Sequence, residues 1–137
     1  MEHFLAPVLA LICWSLIIWI LMYVRRLPAM TKANIAPDDA KHPGSLDTLP
    51  STTRAVADNY NHLMEQPTIF YALMFYLQLT TGGDDLSLKL AWAYVVLRVL
   101  HSLVQVTVNK VMIRFGLFTV STIILIFMAA RALAGAL

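Results

Sequence analysis

The sequence predicts an all-α integral membrane protein built as a four-helix bundle. Of its 137 residues, 59% are hydrophobic and only 13% are charged, and the mean hydropathy is +0.70. A soluble domain usually has about a quarter of its residues charged, whereas four stretches here approach the roughly 20 apolar residues that cross a bilayer. The net charge of +2 gives no basis for nucleic-acid binding.

The apolar stretches place the predicted spans at about 4–24, 63–80, 86–108 and 115–134, within one membrane domain. The first stretch is longer than the core of a signal peptide and lacks a small-residue cleavage site, so we expect it to be retained. Residues 25–53 carry four prolines and scattered charges, which favours a loop outside the membrane. The single cysteine, Cys13, cannot form an internal disulfide.

Basic residues predict the orientation, because cytoplasmic loops carry an excess of Lys and Arg. The side facing away from the two basic loops has only Lys89 and, near the C-terminus, Arg131. We therefore expect both basic loops in the cytoplasm and both termini on the non-cytoplasmic side. The residues of the basic loops are Arg25, Arg26, Lys32, Lys41, Arg54, Lys110 and Arg114.

The second apolar stretch is preceded by a polar segment, and we predict one continuous helix from Pro50 to Thr80 with Ser51 or Thr52 as its N-cap. Polar residues spaced by four, three and four positions follow one face of this helix. A polar face that enters the hydrocarbon region is costly unless other groups meet it. These residues are Arg54, Asp58, Asn61 and Glu65.

The third span has a polar face of its own, formed by Arg98, His101 and Gln105. Arg98 lies near mid-depth, where an arginine indicates a functional site if it has a partner, and Glu65 is the predicted partner. The alternative is a structural ion pair that only fixes how the two helices pack. For His101, a hydrogen-bonded packing role competes with a catalytic one.

Arg114 precedes the fourth span and adds a third arginine to the cytoplasmic half, with Arg54 and Arg98. Guanidinium groups bind carboxylates through paired hydrogen bonds, and an arginine can also stabilise a thiolate or another developing anion. The pattern favours a small anionic ligand, although an arginine at the boundary can also simply reach the interface. His62 and Glu65 share a helix face, but no residue set has the spacing of a metal site.

Two segments carry a resemblance to a known family: RAVADNYNHLMEQP at 54–67 and RVLHSLVQVTVNKVMIR at 98–114. Together with four short spans, they resemble the MAPEG family, the membrane-associated proteins in eicosanoid and glutathione metabolism. The resemblance covers about residues 4–134. The pattern of Arg98 and His101 in the third span, followed by Arg114, is most similar to the prostaglandin E synthase branch.

The resemblance implies a homotrimer that binds glutathione near the cytoplasmic face, between neighbouring subunits. It implies that Arg54, Asn61 and Glu65 contact glutathione. It also implies that Arg98 and His101 support the ligand from the third span, and that Arg114 activates the thiol. The implied activity is that of a glutathione transferase or peroxidase acting on small hydrophobic electrophiles that arrive from the lipid, in a bacterial inner membrane.

The sequence also departs from the family pattern. Asn61 and Glu65 are four positions apart where the family commonly has three, and Gln105, Phe115 and Phe118 stand where other members often have tyrosine or serine. These changes leave a non-catalytic binding or accessory protein of the same fold as an alternative. A small transporter is a second alternative, because polar faces within spans also line pathways.

Overall fold

The computed structural model describes residues 3–137 and is all-α, as predicted. A 3-10 turn, Pro37–Asp39, lies in the long loop. No strand occurs in these described residues. The helices are α1 Ala6–Lys32, α2 Ser51–Met64, α3 Gln66–Thr81, α4 Asp85–Val106 and α5 Val111–Ala136.

Three helices, α1, α4 and α5, are long and apolar enough to cross a membrane. Large apolar side chains stand exposed along them, for example Ile20 on α1 and Ile123 on α5, both more than half exposed. Exposed apolar surface of this extent marks contact with lipid or with another protein. The chain is therefore a membrane protein. α3, with 16 residues, overlaps the predicted span 63–80.

Helix α1 continues past the expected boundary at residue 24 and ends only at Lys32, with Pro28 inside it. Charged residues such as Arg25 stop a membrane span but not a helix, because arginine is a good helix former. The loop before α2 consequently begins near residue 33 rather than at 25.

The prediction of one continuous second helix is wrong, because the chain breaks at Glu65 with φ −87° and ψ −100°. Pro67 explains the break: it has no N–H to donate, and its ring would collide with the carbonyl of Leu63, four residues earlier. The predicted N-cap is also wrong. Pro50 occupies that position, and only its carbonyl oxygen serves the first turn, accepting from the backbone of Thr53 and Arg54.

The two ends of the bundle are distinct. At the end that we call the turn end, the ring of Phe4 packs where a side chain on Gly83 would stand, and Arg131 lies 3.2 Å from the carboxylate of Asp84. Gly83 has φ +82° and no space for a Cβ, so only glycine fits this turn. The start of α1 and the end of α5 therefore both lie at the turn end.

The opposite end, which we call the loop end, carries the long loop and the α4–α5 turn. Here Nη1 of Arg25 donates to the carbonyl oxygens of Val106, at 3.2 Å, and Thr52, at 3.3 Å. One guanidinium thereby joins α1 to the last turn of α4 and the first turn of α2, and a cation suits the negative end of a helix dipole. Most of the predicted site residues lie towards this end.

Candidate functional site

The first group of predicted site residues is a stripe on one face of α2, continuing to the break at its end. All four members are exposed in the single chain, so the polar face predicted from their spacing is present, and no described residue buries it. Arg54 and Asn61 border a cleft of about 400 Å³ between α2 and the loop around residues 40–49. We call this group the outer stripe: Arg54, Asp58, Asn61 and Glu65.

The second group, which we call the inner cluster, comprises His62, Arg98, His101, Arg114 and Phe118. It joins the end of α2 to α4 and to the first turns of α5. Arg98 is fully buried, and its guanidinium carbon lies 5.4 Å from the centre of the Phe118 ring. Its Nη2 donates to the carbonyl of His62 at 3.4 Å, while Nε and Nη1 have no hydrogen-bond partner within residues 3–137.

The predicted ion pair between Arg98 and Glu65 is not formed in the described part of the chain. Glu65 instead places its Oε2 atom 3.5 Å from Nδ1 of His62, and its side chain is 66% exposed. The helix break accounts for the difference, because a residue with φ −87° and ψ −100° does not point its side chain along the face that a regular helix would give it. Arg98 is left without an acidic partner.

His101 is almost fully buried, and its ring centre lies 5.5 Å from that of His62 and 6.3 Å from that of Phe118. Its Nδ1 atom is buried and makes no hydrogen bond to any described residue. The packing of the ring against two aromatic neighbours fits a support role. An unpaired ring nitrogen, in contrast, indicates a group that a ligand or water would complete.

Arg114 is positioned by the turn that precedes it. Asn109 adopts φ +49°, a left-handed conformation that asparagine tolerates better than most residues, and its side-chain oxygen accepts a hydrogen bond from Nη1 of Arg114. The Nε atom of Arg114 is buried and has no partner in the described chain. Arg114 borders a cavity of about 160 Å³, lined by His62, His101, Val111, Arg114, Phe115 and Phe118.

The sequence reasoning missed Asn59, which is fully buried and donates to Oε1 of Gln105 at 2.9 Å. This bond joins α2 to α4. A signal was present, because Asn59 lies three positions after Val56 and four before Leu63, on the buried face of α2. An amide at a buried position needs a partner, and Gln105 on the polar face of α4 was a candidate.

A second missed network ties the start of α3 to α4 and α5. Tyr94 donates to Oε1 of Gln66 at 3.1 Å, and Nε2 of Gln66 donates to Thr122 at 2.8 Å. Tyr94 stands one helical turn before Arg98 and stacks on Phe70 with ring centres 4.5 Å apart. The network fixes the segment directly after the helix break, next to the inner cluster.

No three or more His, Cys, Asp or Glu residues of the described chain come close enough together to hold a metal ion. The inner cluster offers cationic and neutral hydrogen-bonding groups. These groups suit an anion with several polar atoms.

Comparison with known proteins gives one clear finding. No curated protein and no solved structure matches the chain. The model of the MAPEG family matches residues 4–134, which confirms the resemblance seen in the two polar segments. With nearly the whole sequence matched and an all-α membrane fold in agreement, the chain belongs to the MAPEG family.

Proposed function

We propose that the protein binds glutathione at the loop end and joins it through its sulfur to a hydrophobic electrophile, or uses its thiol to reduce a hydrophobic peroxide. The observation that carries the proposal is the state of Arg98, a fully buried guanidinium with two donor atoms unpaired and no acidic partner in the described chain. Burying an unpaired charge costs several kcal/mol. An anionic ligand would remove much of that cost.

Each predicted residue receives a role in this proposal. Arg54 and Asn61 hold the carboxylate and amide groups of glutathione from the outer stripe, and Glu65 accepts hydrogen bonds there. Arg98 and His101 support the ligand from α4. Arg114 stabilises the thiolate, since a preorganised cation next to developing negative charge lowers the barrier to reaction.

The proposal includes a homotrimer in which each outer stripe faces a neighbouring subunit. The four residues of the outer stripe are all exposed, and the stripe leads to the first turn of α3. Such a polar face is costly where it meets lipid. A subunit interface at this face would enclose the glutathione between two chains. We place the loop end in the cytoplasm of a bacterial inner membrane, because the basic residues concentrate there.

The electrophile would reach the site through the lipid. Phe115 borders the small cavity with Arg114 and is 63% exposed on the outer surface of α5, and Met112 beside it is 79% exposed. An apolar molecule dissolved in the bilayer would meet these side chains first. In conjugation of an aryl halide, the thiolate sulfur bonds to the ring carbon and the halide leaves with the bonding electron pair.

A non-catalytic accessory protein is the second candidate, and two contacts favour it. Gln105, at a position where related proteins often have tyrosine, is bonded to Asn59 rather than free to meet a ligand. Phe118 has no polar group to offer and packs beneath Arg98. A chain with these contacts could hold glutathione, or another anion, without activating it.

The deciding experiment measures thiolate formation. Purified protein in mild detergent is mixed with glutathione near neutral pH, and the ultraviolet absorbance of the thiolate is followed beside a calorimetric titration of binding. S-methylglutathione, which has no thiol proton, is the control. We expect binding of both compounds and a thiolate band with glutathione only. Binding without the band would favour the accessory role, and no binding would overturn the proposal.

A further inference from the structure

Resting on the proposed function, we propose a further catalytic residue: His62, oriented by Glu65, takes the thiol proton of bound glutathione while Arg114 stabilises the thiolate. His62 and Arg114 border the same cavity of about 160 Å³. Nδ1 of the His62 imidazole lies 3.5 Å from Oε2 of Glu65. His62 therefore has both the cavity and a carboxylate as neighbours.

The need for a base follows from the chemistry of arginine. A guanidinium has five donors and no acceptor, so Arg98 and Arg114 can stabilise a thiolate but cannot receive the proton that leaves the thiol. Among the residues that line the cavity, the two histidines are the groups able to accept a proton. One of them must act, or the proton must pass directly to water.

The position of Glu65 indicates which of the two histidines acts as the base. Nδ1 makes no hydrogen bond to a described residue in either histidine, but a carboxylate oxygen of Glu65 lies 3.5 Å from Nδ1 of His62, and no described carboxylate lies as close to His101. A carboxylate at Nδ1 holds the proton on that nitrogen and leaves Nε2 as the acceptor, and it stabilises the imidazolium that forms. The separation of 3.5 Å is longer than a normal hydrogen bond, and such catalytic contacts commonly tighten only when the ligand is bound.

The surroundings of His62 hold it at the edge of the cavity. Its carbonyl accepts from Arg98, and its ring lies 5.5 Å from His101 and 6.2 Å from Phe118, centre to centre. Its side chain is still 32% exposed, so a ligand can reach it. The charged groups that face it are Asp58 and Glu65 from α2 and its end, Arg98 from α4 and Arg114 from α5.

The step balances without a further reagent. The S–H bond breaks, the proton goes to Nε2 of His62, and the sulfur keeps the electron pair beside Arg114. The sulfur then bonds to the electrophilic carbon, and a halide leaves with its bonding pair. The imidazolium afterwards gives its proton to water.

The test counts protons and thiolate together. Protein is mixed with glutathione in weakly buffered detergent that contains a pH indicator, and the thiolate absorbance is recorded at the same time. In the wild-type protein, thiolate should form with well under one proton released, because His62 keeps it. In His62→Gln, about one proton should appear in solution for each thiolate, and turnover of an aryl halide should fall about 100-fold.

Two further variants separate a base from a merely structural histidine. Added imidazole should restore part of the turnover of His62→Ala, but none of that of Arg114→Ala. Glu65→Gln, which removes an exposed carboxylate, should lower turnover about tenfold through loss of orientation. His3→Gln is the matched control, because His3 is exposed at the turn end, and it should behave as the wild type.

The results that overturn the inference are distinct from those that overturn the proposed function. If the wild-type protein forms thiolate and His62→Gln gives the same proton count and turnover, His62 is not the base. If His62→Gln and His62→Ala do not fold, an unchanged proton count and turnover in Glu65→Gln overturns the inference. Glutathione that binds to the wild type without forming thiolate contradicts the proposed catalysis itself.

Discussion

At the scale of single residues, the arginines of the site differ in their surroundings. Arg54 is exposed on the outer stripe, Arg98 is fully buried with its guanidinium over the Phe118 ring, and Arg114 is partly buried and held by Asn109. An exposed guanidinium can grip a carboxylate of a ligand from outside, whereas one held at a cavity is preorganised for charge that develops during reaction. The difference leads to opposite kinetic expectations.

Arg114→Ala should lower the turnover of a generic aryl halide by about 100-fold, the scale of losing one preorganised donor, with a much smaller loss of glutathione affinity. Arg54→Ala should weaken glutathione binding with a smaller effect on turnover, because its contact is the same in the ground state and the transition state. Steady-state kinetics beside calorimetric titration measure both quantities. Equal losses in binding and turnover for Arg114→Ala would contradict its role.

The sequence located the polar residues within the predicted spans, but it did not predict their hydrogen-bond and ion-pair partners. Arg98 was identified from its depth in an apolar stretch, and its burial agrees with that reading. Its pairing with Glu65 was wrong, because the partner assignment assumed a straight helix and the chain turns at Glu65. Side-chain spacing describes one helix face well, and it says little about a contact between two helices.

At the scale of helices, α2 and α4 are joined by the buried bond between Asn59 and Gln105. Asn59→Ala would leave the Gln105 amide buried and unpaired, so we expect a loss of about 1–3 kcal/mol in the free energy of unfolding. Thermal or chemical unfolding in detergent measures it. The double variant Asn59→Leu with Gln105→Leu should recover most of the loss, because two apolar partners need no hydrogen bond.

The same double variant can also contradict the claim that the Asn59–Gln105 hydrogen bond joins the two helices. If it is as unstable as Asn59→Ala alone, the bond is not what joins the two helices, and packing volume at this position decides stability instead. A double-mutant cycle over the two positions separates the alternatives.

The turn end gives a prediction about pH. Hydrogen bonds from Ser87 and Arg131 lower the pKa of the Asp84 carboxyl below its ordinary value of 3.8. A carboxyl with a lowered folded-state pKa stabilises the fold above its ordinary pKa, and the contribution is lost as the pH falls through the folded-state value. Asp84→Asn should therefore lower the melting temperature slightly near neutral pH and have no effect at strongly acidic pH.

The measurement is the melting temperature of both proteins in detergent from about pH 7 down to about pH 2. The difference should also shrink at high salt, because the pair is partly exposed and screened. A difference that stays constant across the pH series would show that the carboxylate charge is not the cause.

The presence of the long apolar helices was the part of the fold that the sequence predicted best. Apolar length identified α1, α4 and α5, because a bilayer fixes the number of residues that must be apolar. The break between α2 and α3 was not predicted, although Pro67 was visible in the sequence. A proline can bend or interrupt a helix, and the outcome depends on contacts such as the Gln66–Tyr94 bond that only the fold reveals.

At the scale of the whole molecule, the exposed outer stripe and the unpaired donors of Arg98 indicate a chain that is incomplete by itself. We expect native mass spectrometry in mild detergent to show a trimer. Asn61→Arg, which adds a positive charge to the stripe beside Arg54, should shift the population towards monomer. Detection of monomer alone in the wild-type protein, across several mild detergents, would contradict the assembly.

The measurement that tests the central claim most directly is an electron cryo-microscopy structure of the protein in lipid nanodiscs with millimolar glutathione. The account predicts a trimer with glutathione density between subunits at the loop end. The sulfur should lie beside Arg114, and a carboxylate of the ligand should lie near Arg54. A well-resolved structure in which that space is empty, or in which the outer stripe faces lipid, would contradict it.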